Sequence, residues 1–534
     1  MSRVSELVGR LAAVLPQPPL FNASTLQRFH ALTNACLLLA FGVVSGRAEL
    51  SPLVQRPWFE ARSTHFHTYS CGPTQEVAKL TARLEQFCTT YALLAGTQAV
   101  ASPPIVVMAF PTQASMEPFL PLYQGKAANL AGFFCRNSDE NLIVLSLSSA
   151  GAGSLETIFH EYTHLLLRHN ERFWPLWLKE GMADVYATFE VTGAHSARVG
   201  KPMAKYLALL QRQPLLPLRE LFAVTHESPG YNERERQGRF YAQAWLLAHY
   251  LMLGPTPGRQ AQFGQLTPLL RQGLPLEAAF TNAFRTGLPQ MERELRAYLQ
   301  AGRFEPLTLE VRANLYAPQP LVTRPLLPVE TCFRLGDELL RVGRPEAAET
   351  YFARAQQVAP ASPLAFEGLG LLAAEQSNHA QAIRSLRQAL QCGSTSFLAH
   401  YVYARERLRL TTAVPDTFSR VEGDAAAEIR TELEQALALM PDFGPAHHLL
   451  GLFELVQGED AARAESHLQR AIQLEPENAG YLLTLAQAQI FRQDAAAARR
   501  TLEALRRPYI DAPLRHHAEE LLAKIRSQRV GEGR

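Results

Sequence analysis

Three residues on one predicted helix have the types and the spacing of a metal site. His160, Glu161 and His164 form the pattern H-E-x-x-H. Because residues four apart on a helix lie one above the other, the two imidazoles can reach a single ion. Glu161 is turned by about 100° from His160 around the helix axis, which places its carboxylate near the ion as a general base for a metal-bound water. The alternative is the polar face of an ordinary helix.

A second predicted helix supplies a further carboxylate. The segment 174–189 carries a stripe of large apolar residues, and Glu180 lies inside that stripe. A carboxylate in such surroundings is unfavourable unless it is paired or bound to a metal. Asp184, one turn further, can accept a hydrogen bond from a ligating histidine. The small residues Gly181 and Ala183 would let the two helices pack closely around an ion. With three protein ligands, a zinc ion keeps one coordination position open for water.

The two segments together resemble a known class of enzymes. His160-Glu161-x-x-His164, followed after fifteen residues by Glu180-x-x-x-Asp184, looks like the gluzincin class of zinc metallopeptidases. Within that class, the sequence resembles the peptidase-MA-like domain of bacterial proteins that often carry tetratricopeptide repeats. The resemblance implies that His160, His164 and Glu180 bind Zn²⁺, that Glu161 is the catalytic base and that Asp184 orients a ligand.

The resemblance also implies a reaction. A metal-activated water would hydrolyse peptide bonds, with Glu161 taking the proton and passing it to the leaving amine. Lys179 departs from the family pattern, since many gluzincins have asparagine there. The segment "FYAQAW" resembles a recurrent segment of this family, and we predict that the phenol of Tyr241 in it donates to the developing oxyanion. An aromatic anchor in the core is the other interpretation of Tyr241.

Strands come first and helices afterwards in the part of the chain that carries the motif. The predicted strands, with one helix among them, cover residues 64–70, 74–96, 103–111 and 131–149. From Ser154 to Leu299 almost every segment has helical spacing. This order is typical of an α+β fold. The resemblance to gluzincins further implies a zincin-type domain, with a small mixed sheet followed by the motif helices. The strand at 142–146 is expected to pair with an extended peptide substrate.

The C-terminal part of the chain repeats itself with a period of about 34 residues. Gly336 and Gly370 are 34 residues apart, and Ala436 and Ala471 are 35 residues apart. Each unit consists of two short predicted helices that bury their apolar faces only by stacking on their neighbours. The pattern resembles the tetratricopeptide repeat. This implies an all-α solenoid of four to five units, closed by a capping helix near 511–525, that binds a protein partner.

These patterns divide the chain into five segments. We predict a leader or signal segment, a zinc metallopeptidase-like domain, a proline-rich linker, a tetratricopeptide-repeat domain and a tail, which cover residues 1–50, 51–303, 304–327, 328–527 and 528–534. The apolar centre of the leader fits a signal peptide in length and falls short of a membrane span. Export to the periplasm or the outside of the cell is therefore slightly favoured. A buried N-terminal helix of a cytoplasmic protein is the alternative.

Composition and charge argue against several other classes of protein. The 534 residues are 47% hydrophobic and 19% charged, as in folded globular proteins. The net charge is +2 without any run of lysine or arginine, so nucleic acid is not an expected partner. Apart from the leader, no segment is long and apolar enough for a transmembrane helix. The six cysteines are scattered, which predicts isolated thiols, with a Cys71–Cys88 or Cys88–Cys135 disulfide open if the protein is exported.

Two main functions remain open on the sequence alone. The first is an exported zinc peptidase whose repeat domain recruits a protein or peptide substrate or a protein partner. The second is a tetratricopeptide-repeat scaffold whose protease-like domain is catalytically silent. All five motif residues are present, which disfavours loss of activity. A metal-dependent amidase that acts on a non-peptide substrate is a weaker third interpretation.

Overall fold

The computed structural model describes most of the chain from residue 50 onwards. The described residues are 50–95, 105–123, 126–128, 130–149, 152–171, 174–225, 228, 234–310, 321–411, 420–458, 460–476, 478–506 and 510–532. The predicted signal segment lies outside them. No helix in these ranges has the length and hydropathy to cross a lipid bilayer. The cysteines of these ranges are free thiols, so neither disulfide considered above is formed.

Short strands of the N-terminal region form three sheets. They are β1 (Phe59–Arg62), β2 (Phe66–Ser70), β3 (Ile105–Phe110), β4 (Leu122–Tyr123), β5 (Lys126–Ala127), β6 (Gly132–Arg136), β7 (Asn141–Ser146), β8 (Glu190–Gly193), β9 (Ser196–Val199), β10 (Leu307–Glu310) and β11 (Val322–Pro325). The largest sheet has six strands in the order β11-β1-β2-β3-β7-β6. In it β2, β3 and β7 are parallel, whereas β1, β6 and β11 pair antiparallel with their neighbours. The predicted mixed sheet is therefore confirmed, and the strands predicted within 131–149 form an antiparallel hairpin.

Helices follow the sheet, as expected, and two of them carry the metal motif. The helices of this region are α1 (Thr74–Ala95), α2 (Gln113–Met116), α3 (Ala152–Glu171), α4 (Leu176–Ala187), α5 (Ala204–Arg212), α6 (Leu218–Ala223), α7 (Arg234–Leu253), α8 (Arg259–Arg271), α9 (Leu276–Phe284) and α10 (Leu288–Ala301). The H-E-x-x-H pattern lies on α3, and Glu180 lies on α4.

Two sequence expectations about this region need correction. The prediction of nearly continuous helix from Ser154 to Leu299 is wrong, because β8 and β9 form a hairpin within that range. Each of these strands has only four residues, too few to show a clear two-residue period. The segment 304–327, predicted as a linker without regular structure, contains β10 and β11. One pairs with β9 and the other with β1, so this segment ties two sheets together.

The C-terminal half is a helical solenoid. Its helices are α11 (Pro328–Arg341), α12 (Pro345–Val358), α13 (Pro363–Glu375), α14 (His379–Gln391), α15 (Phe397–Thr411), α16 (Asp424–Leu439), α17 (Gly444–Gln457), α18 (Ala461–Leu474), α19 (Ala479–Phe491), α20 (Ala495–Ala504) and α21 (Ala512–Glu532). Successive helices pack in pairs. A Cβ on Gly336 would lie 2.7 Å from the Phe352 ring, which explains why glycine recurs where the paired helices touch. The last helix runs through the predicted cap and into the predicted tail.

The first repeat also serves as a layer of the N-terminal fold. Every residue of β3 is buried, as expected for a central strand with both faces covered. Ile105 and Val107 face a core that contains residues of α1 and α3. Val106 and Met108 face a second core, which includes Phe333 and other residues of α11. The sheet is therefore sandwiched between the motif helix on one face and the first repeat helix on the other.

Buried charges fasten the repeat region to the hairpin between β6 and β7. The guanidinium of Arg341 donates to both carboxylate oxygens of Asp139, at 3.1 and 2.6 Å, and to Asp337 at 2.9 Å. Arg341 and Asp139 are 4% exposed each. Arg334 lies 4.6 Å above the ring of Tyr69 on β2. Because the Arg341–Asp139 pair is buried and bidentate, removing one partner leaves an unpaired buried charge.

We predict that Arg341→Ala destabilises the fold by about 3–5 kcal/mol, since the Asp139 carboxylate would stay buried without its cation. Urea unfolding followed by circular dichroism measures the change. The control is Arg506→Ala, which removes an exposed pair with Glu503 and should leave the unfolding midpoint close to that of the wild type. Equal effects of the two substitutions would contradict the role of the buried pair.

A second buried carboxyl makes the stability of this interface depend on pH. Glu338 is 1% exposed, and neither of its oxygens has a hydrogen-bond partner among the described residues. Burial raises the pKa of Glu338 well above its ordinary value of 4.5, and the charge of Asp337 adds to the effect. The folded protein thus keeps this proton to a higher pH than the unfolded chain does. Stability is lost as the pH rises above that ordinary value.

We therefore expect Glu338→Gln to be more stable than the wild type at neutral pH. The difference in free energy of unfolding should grow with pH above about 4.5, by at most about 1.4 kcal/mol per pH unit. Unfolding curves of both proteins between pH 5 and pH 8 test this, because all other titrating groups cancel in the difference. A difference that is constant across the range would mean that Glu338 is charged in the folded state.

Candidate metal centre

Helix α3 is oriented by its apolar face. Ile158, Phe159, Tyr162 and Leu165 are buried, and the Phe159 ring stacks on Phe87 of α1 with centroids 4.5 Å apart. Burial of this stripe fixes the rotation of the helix about its axis. The neighbouring face, which carries the two motif histidines, then points towards α4. The predicted helix 154–168 is observed as part of a slightly longer one.

Helix α4 is buried on nearly every side, and one glycine sets its position. Lys179 is the one residue of the helix that is not fully buried. A Cβ on Gly181 would lie 2.3 Å from the carbonyl oxygen of Ala244 on α7. We predicted that this glycine lets α3 and α4 approach each other, and that is wrong. It lets α7 approach α4 from behind, which holds Glu180 against α3.

The structure brings the three predicted ligand atoms into one small triangle. The Nε2 atoms of His160 and His164 are 3.3 Å apart. The Oε2 atom of Glu180 lies 3.4 Å from each of them. The three side chains are therefore close enough to hold one metal ion. Four-coordinate zinc with bonds of about 2.0–2.1 Å requires ligand atoms about 3.3–3.4 Å apart, so the spacing of these atoms fits this ion.

Asp184 fixes the tautomer of His160. The Nδ1 atom of His160 is 3.0 Å from Oδ1 of Asp184. Because a carboxylate only accepts hydrogen bonds, Nδ1 carries the proton and donates it. Once a cation displaces the second proton, the ring would present the lone pair of Nε2 to the triangle, as a metal ligand must. Tyr206, which the sequence did not indicate, donates from its hydroxyl to the other oxygen of Asp184 at 2.9 Å.

The charges of the site are complementary and buried. Burial alone would lower the pKa of His160, but the charge of Asp184 and the hydrogen bonds to Asp184 and Glu180 raise it well above its usual range. Burial alone would raise the pKa of Glu180, but the histidines, His164 foremost, hold it well below its usual range. The carboxylate of Glu180 is therefore available at neutral pH. A divalent cation would displace the proton from His160, so binding should release protons.

Glu161 follows the predicted ligand His160 and lies on the side of α3 that faces β6. It is partly buried. Burial raises the pKa of the Cys135 thiol on β6 to about 12, and the charge of Glu161 contributes in the same direction. We predicted that the strand at 142–146 pairs with substrate, and that is wrong. This strand is β7, which lies between β3 and β6, so the sheet edge next to α3 belongs to β6.

Two further residues with functional side chains lie on α7, the helix that packs against α4. Tyr241 is on α7, three residues before Ala244, and its ring packs edge-on against Phe240 with centroids 5.6 Å apart. Its role as an oxyanion donor stays a prediction. His249 lies between the carbonyl of Gly200 at 2.8 Å and the hydroxyl of Tyr298 at 2.8 Å. Both of its ring nitrogens therefore have partners in the core.

A second cluster of ligand types has an ordinary structural explanation. His65, Glu85 and Cys88 also have potential ligand atoms within 4.8 Å of one another. Glu85 already accepts from the Ser63 hydroxyl at 2.6 Å and from the His65 backbone at 2.8 Å. Burial raises the pKa of the Cys88 thiol far above its usual value, and its sulfur lies 2.9 Å from the hydroxyl of Tyr162. This cluster closes the turn between β1 and β2 and carries no metal prediction.

Comparisons with solved structures return proteins of low identity. One is MamA from Desulfovibrio magneticus RS-1, with 20% identity over 33% of this chain and 91% of the other, at a TM-score of 0.27. Another is a thermophilic TPR protein from Thermus thermophilus, with 22% identity, 36% and 99% coverage and a TM-score of 0.29. A third is PilF of Pseudomonas aeruginosa, with 19% identity, 33% and 74% coverage and a TM-score of 0.28. The chain matches no curated protein.

Family models match two parts of the solenoid. Both are described as tetratricopeptide repeat, one over residues 333–397 and the other over residues 455–525. The first range covers α11 to α14, and the second covers most of the helices from α18 onwards. Both matches lie within the repeats. No family is assigned to the predicted metallopeptidase-like domain at 51–303. The C-terminal region of this chain is built of tetratricopeptide repeats.

Proposed function

We propose that this chain binds a protein partner through its tetratricopeptide repeats and hydrolyses peptide bonds at a zinc ion in its N-terminal region. The repeats support the first part, because stacked helix pairs form extended surfaces that proteins use for recognition. The second part rests on one observation. The Nε2 atoms of His160 and His164 and the Oε2 atom of Glu180 form a triangle with edges of 3.3–3.4 Å, and the carboxylate is buried between the imidazoles.

The residues around the triangle suit hydrolysis. When bound, zinc would polarise the scissile carbonyl and lower the pKa of a water molecule. The two histidines and Glu180 would hold the ion, and Asp184 would keep His160 in the required tautomer. Glu161, partly exposed on the neighbouring face of α3, would accept the proton of the attacking water and return it to the leaving amine. The edge strand β6 would align an extended peptide along α3.

A catalytically silent N-terminal region is the competing function. The comparisons favour it, since they support the repeats and the protein binding that goes with them and give no support to peptidase activity. In that case the same charge cluster would serve stability or metal storage only. Metal binding and turnover must therefore be measured separately.

We expect the purified wild-type protein to bind one zinc ion, measured by elemental analysis after dialysis. His164→Ala and Glu180→Ala should each weaken zinc binding at least about tenfold, because each removes one of three protein ligands. His195→Ala is the matched control, since His195 is exposed in the turn between β8 and β9. Full zinc content in Glu180→Ala would exclude that residue as a ligand.

We further predict that Glu161→Gln keeps its zinc and cleaves a fluorescently labelled unfolded protein about 10²–10⁴ times more slowly than the wild type. The amide has nearly the shape of the carboxylate but cannot accept the proton. Cleavage is followed by the release of labelled peptides in excess zinc. A wild type that binds zinc and the repeat partner but never cleaves would favour the silent scaffold.

A further inference from the structure

A hydrogen-bond chain leads from helix α5 to the predicted metal ligand His160. The hydroxyl of Tyr206 donates to Oδ2 of Asp184 at 2.9 Å. Nδ1 of His160 donates to Oδ1 of the same carboxylate at 3.0 Å. Asp184 is only 3% exposed, so these two partners, and not bulk water, fix the plane of its carboxylate. The direction of the His160 ring thus depends on both ends of the chain.

The backbone that leads to Tyr206 is anchored to the C-terminal end of α4 shortly before α5 begins. The N–H of Gly200, shortly before α5, donates to the carbonyl of Val185 at 3.1 Å and to the hydroxyl of Thr188 at 3.0 Å. Gly200 has a φ of +83° and lies under a side chain of α7, so this turn requires glycine. The anchors place α5 beside the C-terminal end of α4, where Asp184 lies.

The Tyr206 side chain is held as a neutral donor. Its ring packs against the fully buried Trp245 of α7, with centroids 6.1 Å apart. Burial raises the pKa of Tyr206 far above its usual value, and the charges of Asp184 and Glu180 add to the shift. A phenolate in place of the phenol would put a second negative charge against Asp184. The hydroxyl therefore keeps its proton at neutral pH.

We propose that Tyr206 is a positioning residue of the metal centre, acting on His160 through Asp184. Without its hydroxyl, Oδ2 of Asp184 would be buried and unpaired, and the carboxylate could rotate towards the triangle or leave the His160 ring free to turn. With it, both oxygens are engaged and the lone pair of Nε2 keeps its direction. This inference rests on the proposed zinc site, and it concerns ligand orientation and not turnover.

The test measures the zinc dissociation constant of Tyr206→Phe by competition with a chromophoric chelator. Removing a residue that directly supports a metal ligand typically weakens metal binding about 10–100-fold. Tyr206 acts through Asp184, one residue further from the metal, so we expect the zinc affinity of Tyr206→Phe to fall by about three- to tenfold. Tyr250→Phe is the matched control. It removes a tyrosine–carboxylate hydrogen bond, to Glu294 at 2.7 Å, in the same core but away from the metal site. Its zinc affinity should equal that of the wild type.

A double-mutant cycle separates positioning from a general effect on packing. In an Asp184→Ala background, Tyr206→Phe should have no further effect on zinc affinity, because its route to His160 is gone. An unchanged affinity of Tyr206→Phe in the wild-type background would overturn the proposal. So would an equal loss in both backgrounds, or an equal loss in the Tyr250→Phe control. A wild type that binds no zinc would overturn the metal site itself, which distinguishes the two failures.

Discussion

The centre of this structure is a carboxylate that the fold buries between two imidazoles. Glu180 is 2% exposed, and most other residues of its helix are apolar. An isolated charge in these surroundings would be strongly unfavourable. The surrounding architecture keeps the compensating groups in reach. Burial of the apolar face of α3 fixes the rotation of this helix, so that its two histidines point towards α4. The close contact of α7 with Gly181 holds α4 against α3. Asp184 then provides a second negative charge that faces His160 from the side opposite Glu180.

The repeat region is part of the same construction. A solenoid that follows an N-terminal sheet domain could have been an independent module, but here α11 closes one face of the central sheet. The hairpin between β6 and β7 receives Arg341 from the solenoid, and β6 also contacts the helix that carries the histidines. The elements that would receive a substrate and those that begin the repeats therefore share one hydrophobic layer.

The sequence was sufficient for features that depend on local spacing, and insufficient for those that depend on topology. The sequence alone shows the four-residue interval between His160 and His164 and the apolar residues around Glu180. The position of β6 at the sheet edge is not, because chain order does not determine strand order. Nor is Tyr206: it lies 22 residues after Asp184 on a short helix, and nothing in a single sequence links the two. The strands β10 and β11 were hidden by the prolines around them.

The contact between α11 and the sheet has a consequence for recognition. The side of α11 that carries Phe333, Arg334 and Arg341 is occupied by the protein's own strands and hairpin. A ligand of the solenoid thus meets fewer accessible units than the number of repeats in the chain. Expressing the repeats fused to another protein would expose this side of α11. The exposed apolar patch would favour association with other molecules, whereas in the intact protein it is covered.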